Sequence, residues 1–172
     1  MSNTTEILNA TAIEHKIQRL AWELYDRHHN ATDLHVVGIK DNGYWLAEQL
    51  VTRLRNISDI NITLHALVMD KDVPVLENMV LDLPEGGEFA LVDDVLNSGR
   101  TLLWAVIKLM SYRPRVLSTT VLVDRSHKRY PVKADLKGLS LSTNAPGHRP
   151  IKHSQRRCHQ RPARLVTLLL RE

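Results

Sequence analysis

Apolar residues along the chain switch between two spacings, and each switch marks an element. Over residues 11–29, Ile13, Ile17, Leu20, Ala21 and Leu24 recur three or four apart, which predicts a helix with one buried face. Thr11 followed by Glu14 fits a capping box at its start. The short apolar run 34–39, Leu-His-Val-Val-Gly-Ile, stops at Lys40-Asp41-Asn42-Gly43, a strand entering a tight loop. Helical spacing returns over 44–57 with Leu46, Leu50, Leu54 and Ile57, and 60–69 predicts a second strand. Residues 70–88 are mixed and carry Pro74, Pro84, Gly86 and Gly87, which predicts an excursion outside the core. Residues 89–95 form a nearly continuous apolar run, expected of a strand buried on both faces. A helix over 101–112, a strand over 116–124 and a last strand near 136–141 complete the pattern.

Strands alternating with helices imply parallel βαβ units, and hence an α/β fold with an open, mainly parallel sheet flanked by helices. Ligands of such sheets sit beyond the carboxyl ends of the strands. Three loops meet that description: 40–43, 93–101 and 124–131.

At 172 residues the chain is long enough for one sizeable core and too short for two. No apolar run reaches membrane-spanning length; "LLWAVIKLM" is short and contains Lys108. The opening residues lack a basic stretch followed by an apolar one, so no secretory signal is expected. A single cysteine, Cys158, excludes an internal disulfide framework and a cysteine-rich zinc site, and fits a reducing cytoplasm. The net charge of +4 is unevenly placed. Residues 144–172 hold seven basic residues and one acid, whereas the rest holds 16 basic and 18 acidic. The body, at −2, gives no reason to expect a polyanion, while the tail suits electrostatic contact with nucleic acid, without interleaved aromatics for stacking. That tail also reads as an added edge strand at 164–170, or as an out-of-frame end. His148, His153, Cys158 and His159 match no standard zinc spacing.

The stretch "LVDDVLNSGRT" (91–101) carries the chemistry. Asp93 and Asp94 close a buried strand, and Asn97-Ser98-Gly99-Arg100-Thr101 lead into a helix. Backbone N–H groups, two hydroxyls and the positive end of a helix make a phosphate cradle, and Gly99 permits close approach. Two carboxylates beside it must address another part of the same ligand, and vicinal hydroxyls are the natural choice. The pattern therefore suits a sugar phosphate. The bland alternative is a strand–turn–helix junction with Asp as a cap.

The same stretch resembles the 5-phosphoribosyl-1-pyrophosphate (PRPP) signature of type I phosphoribosyltransferases. "VGIKDNGYWLAEQL" (37–50) resembles their pyrophosphate loop and following helix, where a strained peptide is common. "VLVDRSHKRYPVKADLKGLSLST" (121–143) resembles the base-side region of the bifunctional pyrimidine operon attenuator and uracil phosphoribosyltransferase family. The resemblance implies a phosphoribosyltransferase domain over 1–143 with a small hood at 66–88, followed by a basic tail over 144–172. It implies a pentosyltransferase that converts PRPP and a nucleobase, uracil first and a purine second, to the nucleotide with release of pyrophosphate. The alternative it implies is a PRPP- or nucleotide-sensing regulator of pyrimidine genes that binds RNA or protein, with little turnover. Mg²⁺ is the implied cofactor, held indirectly through Asp93 and Asp94, and a homodimer or higher homo-oligomer is the implied assembly, in the cytoplasm. Asp93 and Asp94 would hold the ribose hydroxyls. Asn97, Ser98, Gly99, Arg100 and Thr101 would hold the 5-phosphate, and Lys40, Asp41, Asn42 and Gly43 the pyrophosphate. Asp124 and Arg125 fall on the base side, Arg125 as a catalytic group or equally as a structural ion-pair partner; His127 reads as structural or interfacial. The chain departs from the pattern in the hood: "ITLH" (62–65) leads into Ala66-Leu67, so the usual Arg-Asp pair is absent and Lys71 is the remaining candidate. It departs again on the first helix, where members that bind RNA present polar residues and this chain has Gln18 and Trp22.

Overall fold

The computed structural model describes residues 10–69, 76, 80–125 and 127–141. The hood candidate Lys71 and the tail over 144–172 lie outside the described residues. The element order is α1 (Ala10–His28), β1 (Asp33–Ile39), α2 (Asn42–Ile57), β2 (Asn61–Leu67), β3 (Glu88–Leu96), α3 (Arg100–Met110), β4 (Val116–Arg125) and β5 (Leu136–Leu141). The five strands form one sheet in the order β2-β1-β3-β4-β5. All four pairings are parallel.

Each face of the sheet is covered differently. On one side α1 and α2 bury Ile13, Ile17, Leu20, Leu24, Leu46, Leu50 and Leu54 against Leu34, Val36, Ala90 and Val92. The helical spacing of these residues places them on single faces, so the two helices close this half of the core without further cover. On the other side α3 buries Leu102, Ala105 and Leu109 against Val37, Ile39, Phe89, Leu91 and Val121. One short helix cannot cover that area, and irregular segments complete it. Leu76, Leu81 and Leu83 pack there, with Val132 and Ala134 from the β4–β5 connection. The expectation that 70–88 stays outside the core is thus corrected: Leu83 is buried, because Val37, Ile39 and Leu67 would otherwise face water. The Tyr112 hydroxyl donates to the Leu81 carbonyl at 2.8 Å and holds this segment to the end of α3.

The outer edge of β5 is answered from α1. Arg19 donates to the Lys137 and Gly138 carbonyls at 2.8 and 3.1 Å, and Lys16 to the Gly138 carbonyl at 3.1 Å. These contacts occupy backbone acceptors that an edge strand would otherwise present. Gln18 and Trp22 lie on the exposed face of α1, and Trp22 packs edge-to-face on Tyr25. Among the described residues no helix is long and apolar enough to cross a membrane.

At the amino-terminal end of the sheet, the buried His28 ring bridges two strands. Its Nδ1 lies 2.7 Å from Glu88 Oε2 and its Nε2 2.8 Å from Ser118 Oγ, while Arg115 pairs with the other oxygen of Glu88. The line-up of Ser, His and Glu has the contacts of a nucleophilic triad, but Ser118 has no solvent access, so the network ties α1 to β3 and β4 and does no chemistry. Burial lowers the His28 pKa despite the adjacent Glu88. His35 and His65, 3.1 Å apart across β1 and β2, are lowered chiefly by burial as well.

All three histidines therefore take up protons more readily unfolded than folded. Their neutral forms support the fold fully above the unfolded value near 6.5, and that support is lost as pH falls below it. Urea unfolding should show a stability plateau above about pH 7 and a decline toward pH 5. His28→Leu should lower stability at pH 8 by about 2–4 kcal/mol, by stranding Glu88 and Ser118, and should flatten the decline.

Candidate functional site

The strand order fixes where a ligand can bind. β1 leads through α2 to β2 on one side, whereas its other neighbour β3 leads through α3 to β4 in the opposite direction, so β1 and β3 are neighbours whose following loops diverge. In an open parallel sheet that divergence opens a crevice at the carboxyl end. The loops that border it are 40–43, after β1, and 97–99, after β3.

β3 outruns β1. Its pairing with β1 ends at Gly38↔Val92, whereas its pairing with β4 continues to Leu96↔Asp124. Asp93 and Asp94 therefore sit on an overhang inside the strand, two residues short of its end. The space beside them is filled by the start of α2. A Cβ on Gly43 would lie 3.0 Å from Asp93 Oδ1 and 3.0 Å from the Val92 carbonyl oxygen, so glycine lets α2 start this close to the acids without displacing them. Local hydrogen bonds orient both carboxylates: Asp93 Oδ1 accepts the Asp94 N–H at 3.0 Å, and Asp94 Oδ1 accepts the Val95 N–H at 2.9 Å. Asp93 is buried and Asp94 half-buried.

Both helices that start at the crevice do so without a side-chain cap. α2 begins after Asp41, whose φ of 75° and ψ of −118° lie outside the regions open to a residue with a Cβ. The Lys40 N–H donates to the Leu67 carbonyl at 2.9 Å and anchors this turn to β2. Asp41 is the positive-φ residue of this loop, a conformation that costs free energy for a residue with a Cβ. α3 begins after Gly99, in the left-handed conformation at φ 87°. Ser98 Oγ accepts the Arg100 N–H at a long 3.3 Å, and the Leu103 N–H donates to the Gly99 carbonyl at 3.0 Å. First-turn amides left without caps, together with the positive helix ends, favour anions. The crevice thus has two anion-receptive helix starts with two fixed carboxylates between them.

Asp124 is buried at the end of β4, level with Leu96. Lys128 Nζ lies 2.7 Å from its Oδ1 and Lys137 Nζ 3.5 Å from its Oδ2. Asp124 ends a strand and Lys128 follows in a non-helical connection, so their spacing of four carried no helical signal for this pair. Arg125, half-buried, is the last residue of β4. His127 is exposed. Sequence reasoning missed Lys128 and Lys137, and it missed that the β4–β5 connection reaches the 97–99 loop. The Arg129 and Tyr130 N–H groups both donate to the Ser98 carbonyl, at 2.9 and 3.1 Å. Among the described residues no group of three or more His, Cys, Asp or Glu forms a metal cage.

Comparison with known proteins agrees with this geometry. The Phosphoribosyl transferase domain family matches residues 3–154. The chain is 35% identical over 151 residues to the bifunctional protein PyrR of Enterococcus faecalis, covering 81% of this chain and 84% of the relative. It is 35% identical over 160 residues to that of Listeria welshimeri, covering 84% and 87%. Its fold is similar to the hypoxanthine phosphoribosyltransferase of Trypanosoma cruzi, with a TM-score of 0.71 at 19% identity over 81% of this chain and 82% of that one. With a parallel sheet ordered 2-1-3-4-5, an acid pair on the β3 overhang and this breadth of sequence match, the chain belongs to the type I phosphoribosyltransferases, in the family of the bifunctional PyrR proteins.

Proposed function

We propose that the chain binds PRPP and transfers its phosphoribosyl group to a pyrimidine base, uracil, releasing pyrophosphate. The observation that carries this reading is the crevice itself: two uncapped helix starts flank a carboxylate pair at the β1/β3 divergence. PRPP carries a phosphate and a diphosphate at opposite ends of a ribose with two free hydroxyls, and each part has a counterpart here. The 5-phosphate falls to Asn97, Ser98, Gly99, Arg100 and Thr101. The diphosphate falls to the amides of Lys40, Asp41, Asn42 and Gly43. Asp93 and Asp94 accept hydrogen bonds from the ribose hydroxyls. Asp124 and Arg125 border the base.

In the reaction a base nitrogen bonds to the anomeric carbon as the bond to the pyrophosphate oxygen breaks, and the base loses its N–H proton. Positive charge grows on the ribose and negative charge on the leaving group. The Asp93–Asp94 pair lies beside the first, and the α2 amides with Lys40 beside the second, which is electrostatic stabilisation at both poles. Hard oxygen donors without a protein cage suit Mg²⁺, which takes one or two carboxylates together with substrate phosphates and keeps several waters. Asp93 and Asp94 would hold it through the ribose hydroxyls or its waters, and when bound it neutralises charge on the departing pyrophosphate.

A second reading is a PRPP- or nucleotide-sensing regulator with little turnover. It is favoured by the missing Arg-Asp pair after the 62–65 strand and by relatives that are named bifunctional. Its RNA form is less favoured, because residues 1–143 carry 16 basic and 18 acidic residues and α1 exposes Trp22. A purine substrate is the remaining alternative within the enzyme class. Assembly as a homodimer and residence in the cytoplasm belong to the same proposal.

Turnover with PRPP, Mg²⁺ and a panel of uracil, hypoxanthine, guanine, xanthine and orotate should give UMP alone, and Asp94→Asn should lower kcat/KM by about 10²-fold. Tight PRPP binding without turnover on any base would sink the enzyme reading and leave the regulator. The strain at Asp41 gives a separate expectation. Asp41→Gly should raise folding stability by about 1 kcal/mol, read by urea unfolding, while weakening PRPP binding, because the freed loop no longer holds its amides ready.

A further inference from the structure

The connection from β4 to β5 has no helix. After the β4 terminus it crosses back over the α3 side of the sheet as a strap, residues 127–135, fixed at both ends. At the near end Lys128 pairs with Asp124. At the far end the Asp135 carboxylate accepts the Thr119 N–H at 2.9 Å and the Thr119 hydroxyl at 3.0 Å, and the Asp135 N–H donates back to Thr119 Oγ1 at 3.0 Å. Val132 and Ala134 root the strap in the core.

Its middle meets the 97–99 loop from outside. The Arg129 and Tyr130 N–H groups converge on the Ser98 carbonyl. The Val132 N–H donates to the Tyr130 carbonyl at 2.8 Å, a tight turn around Pro131 that brings the Val132 side chain against Gly99. A Cβ on Gly99 would come within 2.6 Å of Val132 Cγ1, and 3.4 Å from the Tyr130 carbonyl oxygen. A trans peptide bond points its C=O and N–H in opposite directions. Two donors that hold the Ser98 carbonyl toward the strap therefore hold the Gly99 N–H away from it. The Leu103 N–H on the Gly99 carbonyl fixes the next peptide plane as well.

We propose that this strap, through Val132 and the paired amides of Arg129 and Tyr130, is the positioning element of the 5-phosphate loop, aiming the Gly99 N–H at the ligand and linking that loop to the base-side Asp124. The inference rests on the phosphoribosyl reading of the crevice and adds residues that do not themselves touch substrate. It also gives Gly99 a second reason to be glycine: besides its left-handed turn, the strap lies where a side chain would go.

The test is a double-mutant cycle of Gly99→Ala and Val132→Ala, read by calorimetric titration of PRPP with Mg²⁺ at a temperature well below unfolding. Gly99→Ala should weaken PRPP binding about tenfold or more, the loss of one hydrogen bond to a charged group. Val132→Ala in that background should restore at least about threefold of it, by making room for the methyl group. Tyr130→Pro, which deletes one strap amide, should raise the dissociation constant for PRPP and leave a native circular dichroism spectrum. A double variant that binds no better than Gly99→Ala, or a folded Tyr130→Pro that binds PRPP as the wild type does, would overturn the proposal. Failure of the wild type to bind PRPP would instead overturn the phosphoribosyl reading. The same cycle read on melting temperature then decides the strap contact alone, with additive shifts counting against it.

Discussion

A Cβ at position 43 would lie 3.0 Å from both the Asp93 carboxylate and the Val92 carbonyl, tighter than ordinary contact, so a side chain there would have to push these neighbours back by a few tenths of an ångström. That closeness sets the geometry of the crevice. It presses the start of α2 against the part of β3 that outruns β1, so the first-turn amides of the helix and the acid pair share one wall. The cost falls one residue earlier. To enter a helix at that point the chain bends through Asp41 at positive φ, a conformation that a residue with a Cβ holds only when its surroundings over-determine it. The Lys40 N–H on the Leu67 carbonyl and the Trp45 N–H on the Asp41 carbonyl, at 2.9 and 3.2 Å, supply that determination.

The unequal cover of the two sheet faces follows from which connections carry helices. β1 reaches β2 through α2, and α1 lies beside it, so that face is sealed by regular elements. The other face has α3 alone among the helices, and the remaining apolar surface is covered by backbone with no regular partner of its own. Such segments satisfy their polar groups by bonding outside regular structure, which is how the β4–β5 strap comes to hold the Ser98 carbonyl and how the Leu81 carbonyl comes to accept from the Tyr112 hydroxyl. A shortage of helix on one face thus gives the site its outer support.

Most of the element pattern was legible because it depends on local spacing. The periodic apolar residues of α1 and α2 and the continuous run of β3 each announce one structure, and the boundaries differ by one or two residues. The acid pair and the Ser-Gly-Arg-Thr loop were legible for a different reason: their residue types have few other uses in that order. What escaped was set by tertiary contact. Leu83 sits among prolines and glycines and gives no periodic signal, yet it is buried because Ile39 and Leu67 need cover. Nothing in Arg129-Tyr130-Pro131-Val132 shows that it touches residue 98, since that contact spans two strands and depends on a crossover without a helix. The overhang of β3 was also invisible, because strand length shows in sequence but register against a neighbour does not.

Electrostatics explains how a site for so anionic a ligand can stand on a body that is not basic. Taken without the tail, the chain carries 16 basic and 18 acidic residues, so no long-range field draws a phosphate in. The attraction is local and is made of backbone: uncapped amides at two helix starts, with partial positive charge that acts over about one turn. Backbone donors placed by packing have a further property. They cannot be pulled away by a competing carboxylate as a lysine can, and here two carboxylates stand between them. Asp124, the other buried acid at this end of the sheet besides Asp93, is balanced by Lys128 and Lys137. In the proposed reaction Asp93 and Asp94 would face the ribose, where positive charge would develop as the leaving group departs.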